Sequence, residues 1–423
     1  MTNHVNSYYA ATAHKQDARP ALSGSESADV CVIGGGFTGI NAALELAERG
    51  VSVIVLEAVR VGFGASGRNG GQIVNGYSRD LDVISARYGE SAGQVIGSLA
   101  DTGGDIIRER VQKYGIQCDL REGMMITALT GKQMSGLEHH VRTWKGFGYD
   151  QFELFDKKGL ARHVVTERYV GGLLDKRGGH IHPLNLVQGE AAAFESLGGR
   201  IFENSPVLSV DTENAVVKTA SGEVRARHVL VCGNAYLQGV LPNLEGRVMP
   251  VSTQVLATEP LGAEAERLLP TNICVEDANY VLDYFRRTAD GRLLYGGGIV
   301  YGGTDPASIK AKVLPLMLKT FPGLKEARID FTWSGNFALT LTRFPQIGKL
   351  APKVYFSHGD SGHGVTTTHL LARLLAESVT GDNSRFDVFA GLPYFPFPGG
   401  KTFRVPLTVA GSWWYRARDV LGV

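Results

Sequence analysis

Cysteine is scarce in this 423-residue chain, with four in all, Cys31, Cys118, Cys232 and Cys274, none close enough to form a CxxC pair. That spacing argues against a zinc site or a disulfide framework and fits a reducing cytoplasm. An excess of charge is also missing, since 43 Lys and Arg stand against 42 Asp and Glu, a formal net charge of +1. Such a balance offers no field to attract a phosphate backbone or an anionic lipid surface, so a nucleic-acid partner has no electrostatic support. No run approaches the roughly 18 apolar residues a membrane-spanning helix needs, and the N-terminus lacks a basic head followed by an apolar stretch. The expectation is a soluble globular protein whose length suffices for one large core or two smaller ones.

Glycine, by contrast, is abundant. The 54 glycines cluster at 34–39, 62–71, 296–303 and 359–364. No fixed period relates them, which excludes collagen-like and repeat architectures. Without a Cβ, such loops let backbone N–H groups come close to a phosphate or a ring, so close approach to a large ligand is the natural reading.

The N-terminal cluster has a defined setting. Asp29 to Ile33 reads as a buried strand running straight into GGGFTG at 34–39. Ile40 to Arg49 then carries Ala43, Leu44, Leu46 and Ala47 at helical spacing, and after Gly50 a second apolar strand, Val51 to Leu56, ends in Glu57. This is a βαβ unit that binds a dinucleotide. Gly34 makes the turn, Gly36 admits the pyrophosphate to the helix N-terminus beside Phe37 and Thr38, and Gly39 lets helix and strand pack closely. Glu57, with Ala58 beside it, is placed to accept hydrogen bonds from a ribose 2′-hydroxyl and disfavours a 2′-phosphate.

A second glycine-rich loop, VGFGASGRNGGQ at 61–72, follows soon after the second strand. The combination of GGGFTG, the strand-terminal acid and GASGRNGG resembles the D-amino-acid-oxidase-type family of FAD-dependent amine oxidoreductases. The resemblance implies that Ala65, Ser66, Gly67, Arg68, Asn69, Gly70, Gly71 and Gln72 lie along the pyrophosphate and flavin; a solvated loop charge is the plainer reading of Arg68. It further implies that Val207 flanks the adenine and that the strand Arg225 to Gly233 passes beneath the dinucleotide, with Gly233 at its end. It also implies that the turn Asp360, Ser361, Gly362, His363 and Gly364, before a helix from about Thr366 to Val379, faces the flavin edge that gains negative charge on reduction. An aromatic residue is expected where Asp360 stands. His358, His363 and His369 are spaced wrongly for ligands on one helix face, so no metal is expected. No cysteine occurs over Leu339 to Phe344, where sarcosine-oxidase relatives present one, which implies non-covalent FAD.

The expected fold class is α/β: a Rossmann-like FAD-binding domain, discontinuous over 25–87, 156–239 and 326–385, and a substrate domain with a mixed or antiparallel sheet over 88–155 and 240–325. For the tail, 386–423, two readings stand: a cover over the domain seam, or an outward segment whose Trp413, Trp414 and Tyr415 touch a membrane or a partner. Arg247 to Thr258, Tyr280 to Arg287 and Arg292 to Gly296 read as strands roofing the flavin. On the second of these Tyr284 and Arg286 face one side, and the choice lies between a carboxylate clamp in the pocket and a core tyrosine with a solvated arginine. Tyr284, Arg286 and His363 are the catalytic candidates.

The runs SYYAA at 7–11, GGHIHPLNL at 178–186, TADGRLLYGGG at 288–298 and LPYFPFPGG at 392–400 narrow the resemblance to a branch of the family concerned with putrescine breakdown. That implies oxidative deamination of a primary amine whose far end is an amino-acid head, with molecular oxygen reoxidising the flavin to give hydrogen peroxide. Rival readings are a D-amino-acid or secondary-amine dehydrogenase linked to an electron carrier, and a non-catalytic FAD-binding protein. Nothing in the sequence sets the oligomeric state.

Overall fold

The structure, a computed structural model, describes residues 4–237 and 239–421. Two sheets organise it. The first has eight strands, five of them parallel in the order Val354–His358, Gly222–Val231, Gly24–Ile33, Val53–Leu56 and Arg200–Phe202. Gln346–Ala351 adds an antiparallel edge, and the hairpin Ser209–Asp211 with Val216–Lys218 hangs from Gly222–Val231. Val30 to Ile33 and Val53 to Leu56 are buried throughout, the pattern of parallel strands covered on both faces. The helix Phe37–Glu48 packs against Pro183–Ser196 and Gly364–Val379. A buried cluster ties them further, with Asn41 donating to Glu190 and Arg110 and Arg373 both donating to Glu45.

The second sheet has nine strands in the order Ile329–Thr340, Val248–Thr258, Leu293–Tyr301, Tyr284–Arg287, Cys274–Asp277, Arg121–Ala128, Gly171–His180 and Gln72–Ile73, with Phe152–Asp156 beside Gly171–His180. Its pairings are antiparallel except Cys274–Asp277 with Arg121–Ala128. The expected α/β class with a second, mixed sheet is the observed one. The division of the chain differs: Gln72–Ile73, Gly171–His180 and Ile329–Thr340, assigned above to the cofactor domain, are strands of the second sheet. The chain alternates between the sheets in the expected three-plus-two segments, with the boundaries displaced.

The strand Arg200–Phe202 ends where Asn204 takes φ +50° and Val61 N–H and Arg60 bond the Glu203 carboxylate. One expected strand is shorter than the pattern suggests. Tyr280 to Arg287 is a strand only over Tyr284–Arg287, because Asp277 captures the preceding turn by accepting from the N–H groups of Asn279 and Asp283. Among the described residues no helix is long and apolar enough to cross a membrane.

Candidate active site

A cavity of ≈ 620 Å³ opens between the two sheets, and its walls include the glycine-rich segments 34–39, 62–71 and 359–364. At the first, Gly34 takes φ +110°, and a Cβ there would lie 2.9 Å from the Cys232 carbonyl oxygen. A Cβ at Gly39 would lie 1.9 Å from the Gly34 carbonyl oxygen, so only glycine lets the helix start this close to the strand. Glu57 accepts from Gly35 N–H at 2.6 Å and Val59 N–H at 2.9 Å. Burial raises its pKa, and those N–H groups oppose the rise.

The second loop is bolted to the first. Ser66 Oγ accepts from Phe37 N–H at 2.8 Å, and Gly62 N–H donates to Gly35 O at 2.9 Å. Asn69 folds the loop onto itself, donating to Ala65 and Ser66 carbonyls and accepting from Gly71 N–H. Arg68 donates through Nε to Phe63 O at 2.7 Å and lies 4.5 Å above the Phe63 ring, with its backbone oxygen held by Trp333. It is a packed wall residue rather than a solvated charge.

The third segment closes the cavity from the C-terminal side. Asp360 accepts from Asn234 at 2.6 Å, and Ser361 and Gly362 take φ +53° and +101°. The 16-residue helix Gly364–Val379 begins here, and Gly364, Val365 and Thr366 line the cavity at its N-terminus. Such a terminus carries free N–H groups and partial positive charge. His363 lies at this junction with its pKa lowered to about 4 by burial, so it is neutral near pH 7. Cys232 also lines the cavity, but burial pushes its thiol up to about 12, leaving no thiolate at neutral pH.

Gly34, Gly36, Phe37, Thr38, Glu57, Ala58, Ala65, Ser66, Arg68, Asn69, Gly70, Gln72, Val207, Gly233, Tyr284 and residues 360–364 all line this one cavity. Gly39, Gly67 and Gly71 stand behind it, and a Cβ at Gly67 or Gly71 would lie 2.2 Å from a carbonyl oxygen. Arg286 requires correction as a substrate clamp, because it is buried away from the cavity. Its guanidinium donates to Gly70 O at 2.7 Å, Ile181 O at 3.0 Å and the Tyr9 hydroxyl at 3.0 Å. It splints the second glycine loop. His358 pairs with Gln346 and His369 with Glu190, so the three histidines point to different neighbours.

Sequence reasoning missed Glu276, Arg343 and Asn234, all cavity residues. Arg343, with φ +57°, lies 4.0 Å above the Tyr280 ring, and no described carboxylate pairs with it. Phe337, Leu339 and Leu282 give the same region an apolar wall.

A phosphate-sized approach to bare backbone at Gly34 and Gly36, a strand-terminal carboxylate and a helix N-terminus at the far end define a dinucleotide-binding oxidoreductase. The residues fit FAD, since the cradle is shaped by glycines whose Cβ atoms would collide with the chain itself. The chain belongs to the FAD dependent oxidoreductase family, whose model matches residues 29–378. It is 54% identical to gamma-glutamylputrescine oxidoreductase of Escherichia coli (strain K12), covering 100% of both chains. It is 41% identical to a probable oxidoreductase OrdL of Haemophilus influenzae, over 98% of this chain and 97% of that one. In fold it is similar to L-proline dehydrogenase from P. horikoshii, with TM-score 0.70, 22% identity and coverage of 84% and 94%. Glycine oxidase from Bacillus cereus is similar too, with TM-score 0.70, 20% identity and coverage of 87% and 99%.

Proposed function

We propose that the protein oxidatively deaminates the primary amine of a γ-glutamyl-linked diamine, with γ-glutamylputrescine as the leading substrate, releasing an aldehyde, ammonia and hydrogen peroxide. The observation that carries this reading is the cavity itself, in which an apolar and aromatic stretch, Leu282, Tyr284, Phe337 and Leu339, stands beside Arg343, a guanidinium with no carboxylate partner among the described residues. An aliphatic chain ending in an amino-acid head fits that pairing. The full-length likeness to gamma-glutamylputrescine oxidoreductase supports the same choice.

Bound non-covalently, FAD supplies a two-electron acceptor for the amine's carbon–hydrogen bond. Gly34, Gly36, Phe37, Thr38 and Gly39 would hold the pyrophosphate, Glu57 and Ala58 the ribose, and Val207 the adenine. Residues 65–72, with Gly233, would hold the flavin portion. The N-terminus of the helix Gly364–Val379 would stabilise charge developing on the flavin edge. Tyr284 forms part of the substrate wall. Molecular oxygen is the electron acceptor in this reading, and the four free, buried cysteines suit a cytoplasmic setting.

The test adds γ-glutamylputrescine to the purified yellow protein. Anaerobic bleaching of the flavin, then peroxide and ammonia in equal amounts once air is admitted, is the expected result. If no primary amine bleaches the flavin, the reading is wrong; bleaching without peroxide would assign electron transfer to a carrier.

A further inference from the structure

Glu276 sits on the strand Cys274–Asp277, paired with Ile126 on one side and Tyr284 on the other. It lines the ≈ 620 Å³ cavity and also an adjoining cavity of ≈ 460 Å³; Val74, Ser78 and His363 are shared by the two as well. Glu276 therefore stands at the passage between them. The other acids on these walls are all held by the protein. Glu57 accepts two backbone N–H groups, Asp360 is held by Asn234, Asp80 pairs with His140, and Asp175 accepts from Tyr149 and Asn75. Among the described residues, the Glu276 carboxylate alone in this set has no donor.

A carboxylate sunk in protein without a partner is costly, and the cost is relieved when a ligand brings a cation. We propose that Glu276 receives the substrate's reacting ammonium group and accepts its proton, so that the amine is neutral when it is oxidised. This rests on the amine-oxidising reading above. In the step, the ammonium N–H bond breaks, its proton joins a Glu276 oxygen, and the nitrogen keeps the electron pair. The neutral amine then loses a hydride from the adjacent carbon to the bound cofactor, leaving an iminium that water converts to aldehyde and ammonia. The proton on Glu276 leaves through the second cavity to solvent.

Burial, with the neighbouring Asp277 carboxylate, pushes the Glu276 pKa up to about 8, so the empty site holds a proton at neutral pH and the accepting carboxylate is populated from about pH 8 upward. His363 is neutral there and does not compete for the proton. The other ionisable groups around Glu276 include Tyr284 on the adjacent strand, Asp175 on Gly171–His180, Tyr77, Arg79, Asp80, His139 and His140 across the second cavity, and Tyr280 with Arg343 across the first. Arg121–Ala128 contributes only Met124 and Ile126 to these walls.

The experiment compares flavin-loaded wild type, Glu276→Gln and Glu276→Asp. Glu276→Gln is expected to keep flavin content and Tm but to lose about 100-fold or more in kcat/KM at about pH 8, the range of a positioned proton acceptor. The loss should shrink as pH rises toward about 10, where free amine becomes abundant. Affinity for butylguanidine, a lasting cation with no oxidisable amine, read from the flavin absorbance shift, should fall about tenfold, the equivalent of 1.4 kcal/mol. Glu276→Asp should be more active than Glu276→Gln, with a displaced acidic limb. A kcat/KM within about threefold of wild type, or an equal deficit at every pH, overturns the proposal. If Glu276→Gln fails to fold, an acidic limb unmoved in Glu276→Asp overturns it. A wild type that oxidises no primary amine sinks the underlying reading instead, a separate outcome.

Discussion

At the scale of single residues, two arginines 57 positions apart divide binding from support. Arg343 lines the cavity over an aromatic ring with no carboxylate beside it among the described residues, whereas each guanidinium nitrogen of Arg286 donates to backbone or Tyr9. Charge-assisted hydrogen bonds contribute about 1.5–3 kcal/mol, so Arg343→Ala should raise KM for γ-glutamylputrescine about tenfold or more. KM for butylamine, which has no carboxylate head, should stay unchanged; equal effects on both amines would remove Arg343 from head recognition. Arg286→Ala should act otherwise, leaving the Gly70 and Ile181 carbonyls without their donor and loosening the second loop. Flavin content and Tm should drop, and a variant that retains both while KM alone rises would restore the clamp.

The same contrast shows what was legible. Gly34, Gly36 and Gly39 could be read from spacing because a βαβ turn has one way to admit a phosphate, and the contacts at those positions leave no room for a Cβ. Arg286 could not, because the alternation of a strand says which face a residue takes but not whether that face meets a cavity or another loop. Glu276 carried no motif; only the folding of Cys274–Asp277 next to both cavities gives it meaning.

At the scale of elements, the N-terminal helix Tyr8–Thr12 and the helix Pro183–Ser196 meet at His182. Its Nδ1 accepts from Asn185 N–H as an N-cap, and its Nε2 lies 3.1 Å from the Thr12 hydroxyl. Burial and the nearby Arg286 lower the His182 pKa from 6.5 to about 3. The folded chain thus keeps this ring neutral where the unfolded chain takes a proton. Below about pH 6.5 the unfolded state binds more protons, so stability falls with pH, by up to about 1.4 kcal/mol per unit for this ring, until about pH 3. His180 and His358 act with the same sign. His182→Asn keeps an N-cap acceptor but cannot titrate. Its Tm should therefore decline less steeply than wild type between about pH 6.5 and 5; an identical slope would show that His182 is not among the groups responsible.

Elements with an uninterrupted period were readable at this level: Phe37–Glu48 and Gly364–Val379 follow the helical spacing. The strand Tyr280 to Arg287 failed in its first half, where the Asp277 carboxylate outcompetes sheet pairing for backbone N–H groups.

At the scale of the whole molecule, the alternation of the chain between two sheets was legible, but its boundaries were not, because no change of composition marks where the chain passes from one sheet to the other. The tail is the element whose role depends most on that assembly. Phe397 is buried among Met249, Val251, Tyr301 and Leu339, and Val405 and Val409 pack onto the same cluster. Arg404 donates to the carbonyls of Glu245 and Val248 at 3.0 and 2.8 Å. Tyr301 and Leu339 also line the first cavity, so the start of the helix Gly400–Leu421 backs the substrate wall. Its other face leaves Phe403, Leu407 and Trp413 exposed, while the side chains of Trp414 and Tyr415 lie outside the described residues. Ending the chain at Gly400 removes two packed valines and a charged donor to two carbonyls, a loss of about 3 kcal/mol. The flavin-loaded truncated protein should therefore unfold at lower denaturant, with KM raised by disorder in the wall. An unchanged denaturation midpoint would reject the covering role and leave the outward row of Phe403, Leu407 and Trp413 as the tail's reason for being helical.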